Sequence, residues 1–434
     1  MNLLVTNTRN PQAYAIIRAL RPYCNKLVVT MYGTNRLAAR LSHAANSRLV
    51  DRRYHVPSPV DDWRAGRIQK ENTVPEEKYI QAILNICERE KINAIFPSYD
   101  AHVYVFSKNK ERFEKLDVLI PVPDYETVIT PLDKYQTIQA AEAVGFPCPK
   151  TFLPKSEEDA RLIADVLGFP LIIKRRFTAG GRGMHLITSL PELLERTGSG
   201  ESDFGAFLMQ EYIPGRRFNE FDIMLDKTGE LKMVFCRKML EQGRRVCVTQ
   251  VVDSPDSQPY AVHAARLMQK LGWWGGATVQ TFMDPRDKTP KLIEINPRIG
   301  LGLWSRTEAG INQPLMILEI ARDKKLERLR EYPVGAVLVD PVEHSVRFGL
   351  ALVDLIIYRF RIGLLGKTPI DRKDRPMSLR ELVLWIRETY FAGRKKIWSP
   401  YTKYFFQDPI VSTIWWLQFI TRHWIQNRPR ELGR

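Results

Sequence analysis

Two thirds of the way along the chain, residues 292–300 read LIEINPRIG. Glu294 and Asn296 stand two apart in an apolar run, so a strand turns both side chains to one face. A carboxylate and an amide oxygen projecting together suit a hard cation such as Mg²⁺. Arg298 continues the alternation and would hold an anion beside that cation. Pro297 should end the ladder of the strand. A cation pair, an anion-binding arginine and a strand end in one short segment point to nucleotide chemistry.

Residues 171–183, LIIKRRFTAGGRG, place Lys174 at a strand end before a glycine-rich loop. Glycines let backbone N–H groups approach a polyphosphate closely, and Lys174 adds a point charge. This is not a Walker A loop. The only GKT, at Gly366–Thr368, has Arg361 where the first glycine belongs. Residues 209–213, MQEYI, read as a strand entering a connector closed by Pro214 and Gly215. Backbone groups there would read adenine edges, with Glu211 accepting from base or ribose; a surface hairpin fits the same residues.

These groups need elements to position them. LLVT (3–6), a helix over 11–20, KLVVT (26–30), a helix over 76–90 and AIFPS (94–98) alternate as in an α/β unit with a parallel sheet. Asn7, Thr8, Arg9 and Asn10 follow the first strand, at the carboxyl edge where ligands often sit. Thr130 and Pro131 read as the N-cap and first residue of a helix running to Gly145. Ser156 and Asp159 open another helix, which Gly168 closes. Strands follow at 171–174, 207–213, 221–225 and 231–236, the last two joined by a DKTG turn. Arg237, Lys238, Arg244 and Arg245 lie in the next connector, either facing an acidic substrate or solvated.

Past residue 331 the character changes. The apolar stretch 346–365 carries Arg347, Asp354, Arg359 and Arg361, which disfavours a bilayer span. Ser378 and Glu381 open a helix with Leu379, Leu382, Val383, Ile386 and Tyr390 on one side, ended by Gly393. Asp408 and Pro409 open a last helix holding IVSTIWWLQFI (410–420). That run is too short to span; an interfacial helix and packing on the main body both fit.

With 434 residues and 44% hydrophobic content, the chain can hold two or three domains. Its five cysteines form no CxxC pair and its seven histidines no HExxH pattern, which argues against a disulfide framework or a zinc site. Residues 1–10 lack the long apolar core of a signal peptide, so a cytoplasmic protein is expected. Net charge is +16, and residues 341–434 hold 17 Lys/Arg against 8 Asp/Glu, with Trp385, Trp398, Trp415, Trp416 and Trp424 among them. A basic, aromatic end suits an anionic membrane surface, reached peripherally, or a solvated face over a Trp-containing core. No nucleic-acid reader motif accompanies the charge, which disfavours that partner.

The order Asp133–Lys134, Lys174 before TAGGRG, QEYIPG, VQTF (279–282) and LIEINPR resembles the ATP-grasp superfamily, and within it the large subunit of carbamoyl phosphate synthetase. The resemblance covers roughly residues 1–325. It implies an N-terminal Rossmann-like pre-ATP-grasp α/β domain over 1–120 and an ATP-grasp domain of two α+β subdomains, 121–200 and 201–330. A helical, basic, Trp-rich extension, 331–434, would complete the chain. It implies that Lys134 and Lys174 contact ATP phosphates and that a loop with Thr178, Gly180, Gly181 and Gly183 closes over them. Glu211, Tyr212 and Ile213 would hold adenine. Gln280, Glu294 and Asn296 would ligate Mg²⁺, with Mn²⁺ as a substitute, and Arg298 would stabilise the transferred phosphoryl group. Arg175 stands where relatives carry proline, Phe218 where they carry a ribose-binding glutamate, and Gln280 where many carry a carboxylate. Glu220 or Asp222 would reach the ribose if a bulge shifts the register.

The resemblance implies an ATP-dependent ligase joining a small-molecule carboxylate to an amine through an acyl phosphate. A surface-polysaccharide or specialised-metabolite pathway and a homodimer are further expectations. A bicarbonate-using, carbamoyl-phosphate-forming or carboxylating enzyme and a non-catalytic ATP-binding scaffold are the alternatives. Glu294→Ala is expected to abolish ATP turnover with the fold intact; ADP release near the unaltered rate would remove Glu294 from the metal site.

Overall fold

The computed structural model describes residues 1–32, 42–59, 68–178, 183–197, 204–214, 218–242, 247–253, 260–339, 356, 378–387 and 396–426. Runs of buried aliphatic residues build three sheets. The first joins β1 (Asn2–Val5), β2 (Lys26–Met31), β3 (Arg52–His55) and β4 (Ala94–Phe96), all parallel, in the order β3-β2-β1-β4. Leu3, Leu4, Val5, Leu27, Val28 and Val29 are fully buried, as expected of central parallel strands covered on both faces. The crossovers use α1 (Pro11–Leu20) and α2 (Val74–Glu90). A reciprocal capping box of Thr73 and Glu76 starts α2. After β4 the chain turns into α3 (Asp100–Lys108) at the carboxyl edge of the sheet.

Next come α4 (Tyr125–Leu132) and α5 (Lys134–Glu142), which correct the expected helix start at Thr130. Pro131 lies in the last turn of α4. The Asp133 carboxylate accepts from the Tyr135 and Gln136 N–H groups at 3.0 and 3.4 Å, and so caps α5. The second sheet is antiparallel, in the order β5-β8-β6-β7, from β5 (Thr151–Phe152), β6 (Leu171–Arg175), β7 (Met184–Ile187) and β8 (Phe207–Glu211). Helix α6 (Glu157–Leu167) covers one face through Ala160 and Ala164. Its N-cap is Ser156 and its end is Gly168, at φ +70°, as the sequence led one to expect.

The third sheet runs β13-β12-β9-β10-β11-β14-β15. Its strands are β9 (Phe218–Leu225), β10 (Leu231–Gln242), β11 (Cys247–Asp253), β12 (Gly275–Asp284), β13 (Thr289–Asn296), β14 (Val337–Val339) and β15 (Lys396–Trp398). The DKTG turn joins β9 and β10, with Gly229 at φ +82°. Helix α7 (Tyr260–Lys270) lies against one face, and α8 (Leu303–Glu308) and α9 (Gln313–Ala321) follow β13.

Helix α10 (Leu379–Ile386) has the expected Ser378–Glu381 capping box, while Gly393 and the stretch 346–365, Ile356 excepted, lie outside the described residues. The last helix, α11 (Pro409–Gln426), is longer than the expected run. Its start packs on the main body. Asp408 is buried and accepts from Tyr14 Oη at 3.1 Å, Ser47 Oγ at 2.6 Å and Arg48 N–H at 2.8 Å. Tyr401 stacks between Tyr14 and Trp415, with ring centroids 5.5 and 4.4 Å away. Meanwhile β15 pairs in parallel with β14. No helix among the described residues is long and apolar enough to cross a membrane.

Asp408→Ala strands three buried or half-buried donors, at about 1–3 kcal/mol for each unsatisfied group. Equilibrium denaturation should therefore show a loss of about 3 kcal/mol, whereas Ile410→Ala, at an exposed position of the same helix, should be nearly neutral.

Candidate functional site

Strand pairing sets the site. Across β13, β12, β9 and β10 the register aligns Glu294 with Gln280, Gln280 with Glu220, and Glu220 with Arg237. Two pairs along, Asn296, Thr278 and Asp222 stand in line. Directly paired residues share a face, so both rows project from the same side of the sheet. The register between β12 and β13 shifts by one residue at Ile293. This bulge turns the Ile293 carbonyl toward Lys174, whose Nζ donates to it at 3.3 Å. Strand β13 stops at Asn296, so Arg298 lies past the ladder rather than within it.

Lys174 comes from β6 in the second sheet and is only 5% exposed. Burial, with the Lys134 ammonium beside it, pulls its pKa down to about 7, against the opposing pull of Glu294. Lys134, at the start of α5, is also pulled down by burial, opposed by Glu294, Asp100 and Asp133. Its Nζ donates to the Thr178 carbonyl at 2.6 Å, which ties it to the start of the glycine-rich loop. Gly180 and Gly181 lie outside the described residues. Gly183 holds φ +64° close against the Arg175 side chain. Asp133, fully buried, pairs with Arg176 and so fixes the start of α5 against the end of β6.

Lys174, buried, and Lys134, half-buried, share Glu294, while Asp133 and Asp100 are paired with Arg176 and Arg298; the surplus of cations suits a polyanion. The oxygen donors beside it are the Glu294 carboxylate and the Gln280 and Asn296 amides. Gln280 Nε2 donates to Glu220 Oε1 at 2.5 Å, which turns its oxygen the other way. Asn296 Oδ1 accepts from Arg298 at 3.0 Å and keeps a second lone pair. Among the described residues no group of three His, Cys, Asp or Glu side chains forms a metal cage. One carboxylate and two amides are hard donors too few for a full shell, which fits Mg²⁺ shared with phosphate oxygens.

Arg298 reaches Asp100, the first residue of α3: Nε lies 3.1 Å from Oδ1 and a terminal nitrogen 3.3 Å from Oδ2. Asp100 was not singled out from the sequence, although its place after a parallel strand was the available signal. A second unforeseen feature is a buried ionic group. Arg237 pairs with Glu220 at 2.5 Å and Asp222 at 3.0 Å, while Arg306 pairs with Asp222 and Thr278 donates to Asp222 at 2.6 Å. Burial alone would raise the Asp222 carboxyl, but Arg237 and Arg306 hold it low. Arg237 is therefore neither solvated nor open to a substrate. A Cβ on Gly302 would overlap its guanidinium, and one on Gly300 would overlap Thr278.

The bulge on which a ribose contact from Glu220 or Asp222 was conditional is absent from this pairing: β9 and β12 pair without a shift from Phe218–Phe282 to Leu225–Gly275. Asp222 is enclosed by arginines and does not reach toward a ribose. Glu211 accepts from the Lys150 N–H at 3.1 Å and from Arg286 at 2.5 Å, within a charged cluster that includes Asp284 and Lys291. Its carboxylate thus joins the second sheet to the β12–β13 hairpin, and does not stand open for adenine. Tyr212 is half-buried and Ile213 buried in the connector that follows.

Residues 133–328 match the family profile described as carbamoyl-phosphate synthase L chain, ATP binding domain, and residues 68–121 match one described as PylC-like, N-terminal domain. The chain is 25% identical over 230 residues to the carbamoyl phosphate synthase large chain of Pyrococcus furiosus, covering 50% of this chain and 22% of that one. It is 27% identical over 165 residues to the arginine-specific large chain of Geobacillus stearothermophilus, covering 36% and 16%. The chain thus spans less than a quarter of the length of these relatives. Among solved structures it is similar to biotin carboxylase from Campylobacter jejuni, with a TM-score of 0.62, 19% identity, and 77% of this chain and 74% of that one covered. The biotin carboxylase domain of Hydrogenobacter thermophilus 2-oxoglutarate carboxylase, solved with MgADP and bicarbonate, gives a TM-score of 0.61 at 19% identity, with 77% and 73% covered. These two share the fold.

A bound polyphosphate should raise the depressed pKa of Lys174. Between about pH 7 and the bound-state value, binding then takes up a proton, and ADP affinity falls by up to about tenfold per pH unit. Calorimetry at pH 8 in buffers of different ionisation heat should show that uptake. Its absence, or its survival in Lys174→Arg, would remove Lys174 from the phosphate site.

Proposed function

We propose that this chain, whose residues 133–328 form an ATP-grasp domain, is an ATP-dependent ligase that activates a carboxylate as an acyl phosphate for attack by an amine. The observation that carries the reading is buried Lys174 with half-buried Lys134 beside it, both drawn on by Glu294. That arrangement costs stability in the empty protein and is relieved by a polyphosphate. The carboxylate oxygen attacks the γ-phosphorus, the bond to the ADP oxygen breaks, and ADP leaves. The amine nitrogen then attacks the acyl carbon, phosphate departs with the bonding electrons, and the amine loses a proton. Such a transfer depends on alignment and charge neutralisation rather than on a covalent enzyme group.

Lys134 and Lys174 hold phosphate oxygens, with Thr178 and Gly183 framing the loop between them and the cleft. The connector Glu211–Ile213 borders the base, through backbone and the Ile213 side chain. Mg²⁺, held by Gln280, Glu294 and Asn296, would neutralise charge on the phosphate chain. Glu220 orients Gln280 by its hydrogen bond, and Arg237 balances Glu220. Arg298 faces the transferred group; losing such a preorganised donor costs on the order of 10²–10³ in rate.

A second reading takes bicarbonate as the carboxylate. The matches to carbamoyl phosphate synthase large chains support it. An anionic membrane surface and a surface-polysaccharide or specialised-metabolite pathway are supported by the basic, aromatic tail alone.

The test is ADP release screened against small carboxylic acids paired with amines, with bicarbonate run separately. Release should need both an acid and an amine, and should vanish in Lys174→Ala. Release driven by bicarbonate without another acid would replace the leading reading with the second, and ATP binding without release under any pair would favour a scaffold.

A further inference from the structure

Asp100 has a place that no role yet described accounts for. It belongs to the N-terminal parallel-sheet unit, on the first turn of α3, and is 3% exposed. Both of its carboxylate oxygens face one edge of the Arg298 guanidinium, at 3.1 and 3.3 Å. The terminal nitrogen on that edge also donates to Asn296 Oδ1 at 3.0 Å, and the other terminal nitrogen donates to the Ile299 carbonyl at 3.2 Å. Arg298 is thus gripped from two sides, by its own strand end and by a residue 198 positions away. Only the terminal nitrogen donates a hydrogen bond to Asp100, while Nε and Oδ1 are close but misaligned. Two close contacts along one edge, one of them purely ionic, still restrain the plane of the guanidinium.

We propose that Asp100 is a positioning residue: it sets the plane of Arg298 for the transferred phosphoryl group and makes the N-terminal unit part of the ATP site. The proposal rests on the ligase reading above. Without the carboxylate, Arg298 keeps its backbone and Asn296 contacts but loses the contact that fixes its tilt. Ground-state nucleotide binding runs through Lys134 and Lys174, on which Asp100 bears only by its pull on the Lys134 charge. It should change far less than affinity for a mimic of the transferring group.

The experiment uses the full chain with Mg²⁺ and compares affinity for ADP with affinity for ADP plus aluminium fluoride, so no acceptor need be known. In Asp100→Asn, ADP affinity should stay within about threefold, while the extra affinity for the fluoride complex falls by about tenfold or more, as for loss of a preorganised contact. Asp100→Glu should recover most of it. In an Arg298→Ala background, Asp100→Asn should add no more than about twofold, because the two act as a unit. An unchanged fluoride advantage in Asp100→Asn, or penalties that simply add in the double variant, would overturn the proposal. An unaltered chain that binds ADP but gains nothing from fluoride would also overturn it. A chain that binds no ADP at all would instead overturn the ATP reading, and the proposal with it. Denaturation curves for Asp100→Asn and Asp100→Glu separate these outcomes from unfolding.

Discussion

A buried lysine and a half-buried one within reach of each other are the constraint around which the rest is arranged. Burial disfavours the charged form of each, and the Lys134 ammonium further disfavours that of Lys174. Only Glu294 pulls on both in the opposite direction, and it does so from a different sheet. The two lysines themselves arrive on α5 and on β6. The site therefore exists only when the second and third sheets meet along the cleft, and an anion with several charged oxygens is the ligand that removes its imbalance.

The third sheet answers a different requirement, that of holding polar groups rigid on one face. Glu294, Gln280, Glu220 and Arg237 stand in one row across four strands. Each is held by its neighbour or by the pairs behind it, with Asp222 locked between Arg237 and Arg306. A half-satisfied group of this kind would be worse than an apolar core. Gly300 and Gly302 supply the space it needs, since side chains there would displace Thr278 and Arg237. The loop after LIEINPR is glycine-rich for this packing reason.

The tail packs on the N-terminal unit, and the N-terminal unit in turn reaches the site. Asp100 reaches Arg298 at the carboxyl edge of the first sheet. At another face, Asp408, Tyr401 and Trp415 pack on Tyr14 and the turn at His43, while β15 extends the third sheet beside β14. Of the two readings open for the aromatic tail, packing on the body describes the start of α11. Phe406, Ile410 and Leu417 remain outward and exposed.

Much was legible in the sequence because local rules carry it. Alternation placed Glu294 and Asn296 on one face, Ser156 and Gly168 bounded α6, and the alternating apolar runs announced a parallel sheet. Local rules failed where two signals competed or where partners were distant. Thr130–Pro131 is a sound helix start, but the charged Asp133 caps better, so the boundary moved. Glu211 looked available until Arg286, 75 positions on, met it. Arg237 looked like a surface cation until strand pairing set it opposite Glu220. The residue types and their order thus determined which side chains are candidates: Glu294 and Asn296 for a hard cation, Lys134 and Lys174 for phosphate, and Arg298 for an anion. Tertiary structure alone decided which charges face one another and which are already paired, because that depends on register and burial between segments tens to hundreds of residues apart.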